Sequence, residues 1–170
     1  MMRRLALASA LFVAVGSAAP SMAVAGTADS NFQISASVNN NCTISTAALS
    51  FGAYNPGTGT SVTGTVTTNC TAYALAVITL SPGYNSDIDN PAENRRLKNV
   101  DNANYLSYNL YKDNAKTAIW GSGSSTSTDT GITVIGNGAD KSTTVYGEIP
   151  AGQNVPSGSY TDTVTATVTY

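Results

Sequence analysis

The chain has 170 residues, with 8 Lys and Arg against 10 Asp and Glu, no histidine, and a formal net charge of −2. So few scattered cations argue against nucleic acid or anionic membrane as a partner, since both demand clustered positive charge. Without histidine no Ser-His or Cys-His nucleophile can be built, and two cysteines alone leave too few good ligands for a metal site.

Residues 1–25 read as a secretory signal peptide. Arg3 and Arg4 are followed by an apolar stretch over residues 5–15, then Pro20 and the small-residue triplet Ala23-Val24-Ala25. Cleavage is expected between Ala25 and Gly26. The apolar core is well short of the roughly 20 residues that span a bilayer, so no membrane insertion is expected. Without Arg3 and Arg4, 6 basic side chains face 10 acidic ones, a net charge of −4. The remaining chain, about 145 residues, suits one domain with a real core.

Residues 32–38 alternate strictly, with Phe32, Ile34, Ala36 and Val38 on one face and Gln33, Ser35 and Ser37 on the other. The turn-like Asn39-Asn40-Asn41 follows. Strands are then expected at 42–46, 49–54 and 62–69, with a Pro56-Gly57 loop before the last of these. Residues 73–80 are apolar on both faces, which suits a strand covered on each side, and Ser81-Pro82-Gly83 ends it. Residues 84–104 look irregular, and the cluster Arg95-Arg96-Leu97-Lys98 reads as a solvated loop edge. Alternation returns at 105–111, with Leu106, Tyr108 and Leu110 in phase. A short strand is expected at 117–120 before the Gly/Ser/Thr loop 121–130. Further strands are expected at 132–135 and 142–149, and a last two-faced one at 160–170. In it Val164, Ala166, Val168 and Tyr170 face one way and the threonines between them the other.

Cys42 and Cys70 lie in a chain routed to an oxidising compartment, which points to one disulfide. Strand phase agrees: Cys42 shares a face with Ile44, and Cys70 with Val62 and Val66, so both sulfurs can reach one core. About eight short strands punctuated by Gly and Pro make an all-β sandwich the expected fold. The acidic residues Asp87, Asp89 and Glu93 lack the glycine and terminal Glu of a calcium loop and read as solvated. No catalytic residue, metal or cofactor is expected, and the chain is not expected to be an enzyme.

The tail Gly158-Ser159-Tyr160-Thr161-Asp162-Thr163-Val164-Thr165-Ala166-Thr167-Val168-Thr169-Tyr170 resembles the C-terminal signature of the spore coat protein U family, the subunits of archaic chaperone–usher pili. Arg95-Arg96-Leu97-Lys98-Asn99 with Leu106-Ser107-Tyr108-Asn109-Leu110-Tyr111-Lys112-Asp113 is similar to the family's mid-domain block. Tyr146-Gly147-Glu148-Ile149-Pro150 is similar to the strand before its final hairpin. An alternating strand leading into the first cysteine, and a second cysteine after a Thr-rich strand, match its opening.

The resemblance implies an incomplete immunoglobulin-like β-sandwich that lacks its last strand and is completed by a donor strand from a neighbouring subunit. Residues 26–38 would be that donor, carried by Phe32, Ile34, Ala36 and Val38, and 39–170 the pilin domain. A periplasmic chaperone would fill the open groove in transit. At the outer-membrane usher the next copy, or a related pilin, would replace it. Val164, Ala166, Val168 and Tyr170 are the candidates for groove and chaperone contact, with the terminal carboxylate anchored on the chaperone's basic residues. The implied product is a cell-surface pilus supporting adhesion and biofilm formation. Two other readings use the same fold: a soluble secreted coat or matrix protein, and a sugar-binding tip adhesin drawing on the nine tyrosines and Trp120.

Overall fold

The computed structural model describes residues 25–87, 94–122 and 131–170. Residues 1–24 of the expected signal peptide, the acidic residues Asp89 and Glu93, and residues 123–130 of the Gly/Ser/Thr run lie outside the described residues. The chain divides into two units, Met1–Ala36 and Ser37–Tyr170. Residues 25–36 of the first belong to no strand, and every one of them is exposed.

The second unit is all β among its described residues: β1 (Cys42–Thr46), β2 (Thr60–Cys70), β3 (Leu75–Leu80), β4 (Arg95–Asn99), β5 (Tyr105–Tyr111), β6 (Ile132–Ile135), β7 (Asp140–Ile149), β8 (Tyr160–Thr161) and β9 (Ala166–Thr169). Two antiparallel sheets form a sandwich, one ordered β1-β2-β7-β5-β4-β8 and the other β6-β3-β9. The backbone of the large sheet is the β2–β7 pair, in register from Thr60↔Ile149 to Asn69↔Asp140. Period-two burial along these strands turns Val66, Val145 and Ile149 to the interior, where they meet Ala76, Ile78 and Leu80 of β3 and Leu106, Tyr108 and Leu110 of β5. Each fully buried aliphatic side chain contributes about 1.5 to 3 kcal/mol. Trp120 completes this core: it is fully buried, and its Nε1 donates to Ile78 O at 2.9 Å.

Several local expectations are corrected. The basic cluster at 95–98 is not a solvated loop edge but strand β4. Its alternate residues Arg95 and Asn99 are buried, while Lys98 is exposed. Charge pattern misleads here because Arg95 finds carbonyl acceptors inside the sandwich. Residues 49–54 form a loop rather than a strand: Gly52 takes φ 67, a conformation a pleated strand cannot hold. Residues 117–120 contribute only a single bridge, Ile119 to Tyr111. The tail is not one strand but two: β8 pairs with β4 in the large sheet, and β9 with β3 in the small one. Strand β3 is sealed on one face only, since Leu75 is exposed beside buried Ala74 and Ala76. Residues 32–38, read as a strand from their alternation, stand outside every strand.

Candidate functional site

Strand β1 is one edge of the large sheet and β9 one edge of the small sheet, and the two lie close together without pairing. The sandwich is therefore open along a seam between them. One wall is residues 46–54, leading out of β1; the other is the tail from residue 155 to Ala166. Two clefts of about 650 and 330 Å³ follow one another along the seam and share Leu49, Phe51, Leu97 and Asp162. The smaller has a floor of core side chains, among them Val66, Leu80, Leu110 and Val145.

The wall at 46–54 is seated by two glycines inside strands, a position that marks close backbone approach. A Cβ on Gly64 would stand 2.8 Å from Leu49 Cδ1, and one on Gly147 3.0 Å from Phe51 Cζ. Only hydrogen at these Cα positions lets Leu49 and Phe51 lie against β2 and β7. Phe51 also meets the Tyr108 ring edge-on, with centroids 5.8 Å apart. At the root of this wall Cys42 and Cys70 are disulfide-bonded, with Cα atoms 4.1 Å apart, in the β1–β2 register that pairs them directly.

The opposite wall turns on Asp162, where the tail leaves the large sheet for the small one. Its Oδ1 accepts from Tyr84 N at 3.0 Å and from Asn85 N and Nδ2, both at 3.1 Å. Its Oδ2 accepts from Tyr108 Oη at 2.7 Å. Burial pushes the Tyr108 hydroxyl far above its ordinary range, and the Asp162 carboxylate pushes it further. Beyond Asp162, Thr165 N donates to Ser81 Oγ and Ser81 N to Thr165 O, both at 2.8 Å, which docks the tail on the end of β3.

Buried Arg95 ties the two sheets together next to the seam. Its guanidinium donates to Ser81 O, Leu80 O and Trp120 O, at 2.9, 3.2 and 2.8 Å, and to Asn109 Oδ1 at 3.0 Å. A planar fork suits such divided donation, which the ammonium of a lysine cannot reproduce.

Of the tail residues singled out from sequence, Val164 and Ala166 line the smaller cleft. Val168 packs half-buried on the core, and Tyr170 is half-exposed at the end. Phe32, Ile34 and Val38 are 83%, 83% and 85% exposed, and Ala36 is exposed as well. Sequence reasoning missed Leu49, Phe51, Leu97 and Asp162 as seam residues; the strand-interior Gly64 and Gly147 were the available signal. Trp120 is corrected as a sugar-stacking candidate, because its ring is sealed in the core. Asp87 pairs with Arg96 at 3.2 Å, and the described residues hold no cluster of three metal-ligating side chains. What the seam offers is an apolar floor in its smaller cleft, beside the outer edge of β9, which has no strand partner among the described residues; sheet edges of this kind can take an added extended strand.

Known proteins place the chain. A sequence model of the Spore Coat Protein U domain matches residues 28–167. "Protein U" of Myxococcus xanthus is 38% identical over 175 residues, covering 95% of this chain and 96% of the relative. Among solved structures, a chain of the CsuC–CsuE chaperone–tip adhesion subunit pre-assembly complex, from the archaic chaperone–usher Csu pili of Acinetobacter baumannii, superposes with a TM-score of 0.58 at 20% identity. That match covers 78% of this chain but spans only 40% of the other. The E. coli Hda pilus minor tip subunit is a weaker likeness, with a TM-score of 0.39 at 12% identity over 75% of this chain and 79% of its own. With one family matched across nearly its whole length and a curated relative sharing more than a third of its residues, the chain belongs to the Spore Coat Protein U domain family.

Proposed function

We propose that this chain is a structural subunit of a chaperone–usher pilus, polymerising when residues 32–38 of one copy enter the seam of the next. One observation carries the reading: three large apolar side chains at alternate positions, Phe32, Ile34 and Val38, stand exposed on a segment without strand partners. Water is a poor solvent for such a stripe. Burying it contributes about 1.5 to 3 kcal/mol for each of the three, with Ala36 adding less. Seven extended residues reach about 20 Å. The seam supplies the complementary features: an apolar floor and, in β9, a sheet edge with no partner on its outer side among the described residues.

Transit follows from the same geometry. An open apolar seam is an aggregation hazard, so a periplasmic chaperone would cover it until an outer-membrane usher delivers the next copy. The chaperone would contact Val164, Ala166, Val168 and Tyr170 along the tail-side wall. The fibre would leave through the periplasm for the cell surface, where it would support adhesion and biofilm formation. The fold likeness to a chain of a chaperone–subunit complex supports this reading.

The test is a gel of sheared surface material, run unboiled and boiled and probed for this chain. A ladder that collapses to one band on boiling is expected. Phe32→Asp or Ile34→Asp should abolish the ladder and leave a chaperone-bound monomer in the periplasm. A single monomer band from wild type in both lanes, or full-length ladders from Ile34→Asp, would overturn the proposal and favour a soluble coat or matrix protein.

A further inference from the structure

The small sheet exposes an apolar patch that the seam does not use. Leu75 and Ile135 are directly opposite each other in the β3–β6 register, on the face turned away from the core, and are 61% and 56% exposed. Two residues before Leu75, Tyr73 is 91% exposed. Its backbone holds φ 66, a left-handed conformation that is costly for a bulky side chain. Hydrogen bonds enforce it: Tyr73 N donates to Gly136 O at 2.9 Å, Ala74 N to Thr71 O at 3.0 Å, and Gly136 N to Ala74 O at 2.8 Å. The fold therefore spends conformational energy on a turn that leaves an aromatic ring in water.

The position of this patch is specific. Asn41, where the N-terminal segment joins the sandwich, is clamped to Thr71: Asn41 N donates to Thr71 Oγ1 at 3.0 Å, and Thr71 N to Asn41 O at 2.9 Å. Thr71 is two residues from Tyr73. Between Val38 and Asn41 stand only Asn39 and Asn40. Three Cα steps span at most about 11 Å. A domain of this size has a radius of gyration of about 14 Å. If residues 32–38 are buried in a second copy, so short a link presses that copy's surface against the surface around Asn41. Exposed apolar side chains tied to that region through Thr71 and Gly136 are Tyr73, Leu75 and Ile135.

We propose that Tyr73, Leu75 and Ile135 form a second contact between consecutive copies of this chain, closing beside the strand-donating joint; it rests on the strand-donation reading above. Three side chains are far too little surface for free association, since stable interfaces bury about 1,200 Å² or more. A two-residue tether changes this by holding the partner at an effective concentration in the millimolar range. The patch is thus silent in free subunits and engages only after strand transfer, when it stiffens the fibre at each joint.

Hydroxyl-radical footprinting of wild-type polymer, against unpolymerised chain from the periplasm, tests the contact without altering the fold. Oxidation of Tyr73, Leu75 and Ile135 should fall severalfold in the polymer, while that of exposed Tyr84 stays unchanged. Leu75→Lys with Ile135→Lys should keep the boiling-sensitive ladder, and its fibres should show a wider spread of angles between neighbouring subunits in electron micrographs. A ladder whose patch oxidises as fast as in the monomer, or a double variant with wild-type angles, overturns this contact alone. Absence of a ladder from wild type overturns the strand-donation reading and the contact with it.

Discussion

Tyr108 Oη donates a 2.7 Å hydrogen bond to Asp162 Oδ2, joining the middle of β5 to the point where the tail changes sheets. The bond lies at the seam, and both residues line the smaller cleft. It fixes the wall on the tail side, because the other oxygen of Asp162 is occupied by the turn at Tyr84 and Asn85.

Tyr108→Phe removes that donor and leaves Asp162 Oδ2 short of a partner, so it should cost about 1 to 2 kcal/mol in urea unfolding at pH 7. It should also alter the alkaline limb. The folded-state pKa of Tyr108 lies above its unfolded value near 10, so its contribution is complete below about pH 10 and falls as pH rises beyond it. Above that point the unfolded chain holds fewer protons, and stability drops by about 1.4 kcal/mol per pH unit for each such tyrosine. Tyr111, also shifted upward by burial and Glu148 but more exposed to solvent, adds a smaller share to the slope. The variant should lose the Tyr108 share; an unchanged slope between pH 10 and 11 would refute this.

Arg95 holds Leu80, Ser81, Trp120 and Asn109 with one buried guanidinium. Arg95→Met fills similar space but strands these acceptors, and should destabilise by about 3 kcal/mol. Arg95→Lys should recover only part of the loss, because one ammonium cannot span the same set. Urea midpoints of the three proteins decide the matter, and equal midpoints for Lys and Arg would remove the geometric argument.

The glycines under the 46–54 wall give a separate handle. Gly64→Ala with Gly147→Ala places methyl groups against Leu49, Val145 and Phe51 and should cost about 2 kcal/mol. The displaced wall should also make any polymer dissociate at lower temperature on the gel. A wild-type urea midpoint in the double variant would mean that the loop has room to retreat.

Cys42→Ser should lower stability by about 3 to 4 kcal/mol, the chain-entropy value for a crosslink across 28 residues. It should also lower periplasmic yield, since β1 then loses its covalent tie to β2. Thermal denaturation with and without reductant checks this in the wild-type protein, where reductant should produce the same shift.

The sequence by itself determined the parts that depend on local periodicity and covalent chemistry. Alternation in β2, β5 and β7 follows from the two-residue repeat of a pleated strand, so those elements were readable from residue type alone. The pairing of Cys42 with Cys70 followed from their number and strand phase. Long-range partners decided the rest. Arg95 reads as surface because its charge favours water; only three backbone carbonyls and an asparagine brought together by folding make it a core residue. The tail reads as one strand because alternation runs through Asp162; only the bonds that carboxylate makes to Tyr84, Asn85 and Tyr108 break it between two sheets. The seam belongs to the same class, since an opening between β1 and β9 is a property of which strands lack neighbours. Residues 32–38 carry a strand's pattern and belong to no strand: sequence encodes the capacity to pair, and tertiary structure decides where a partner stands.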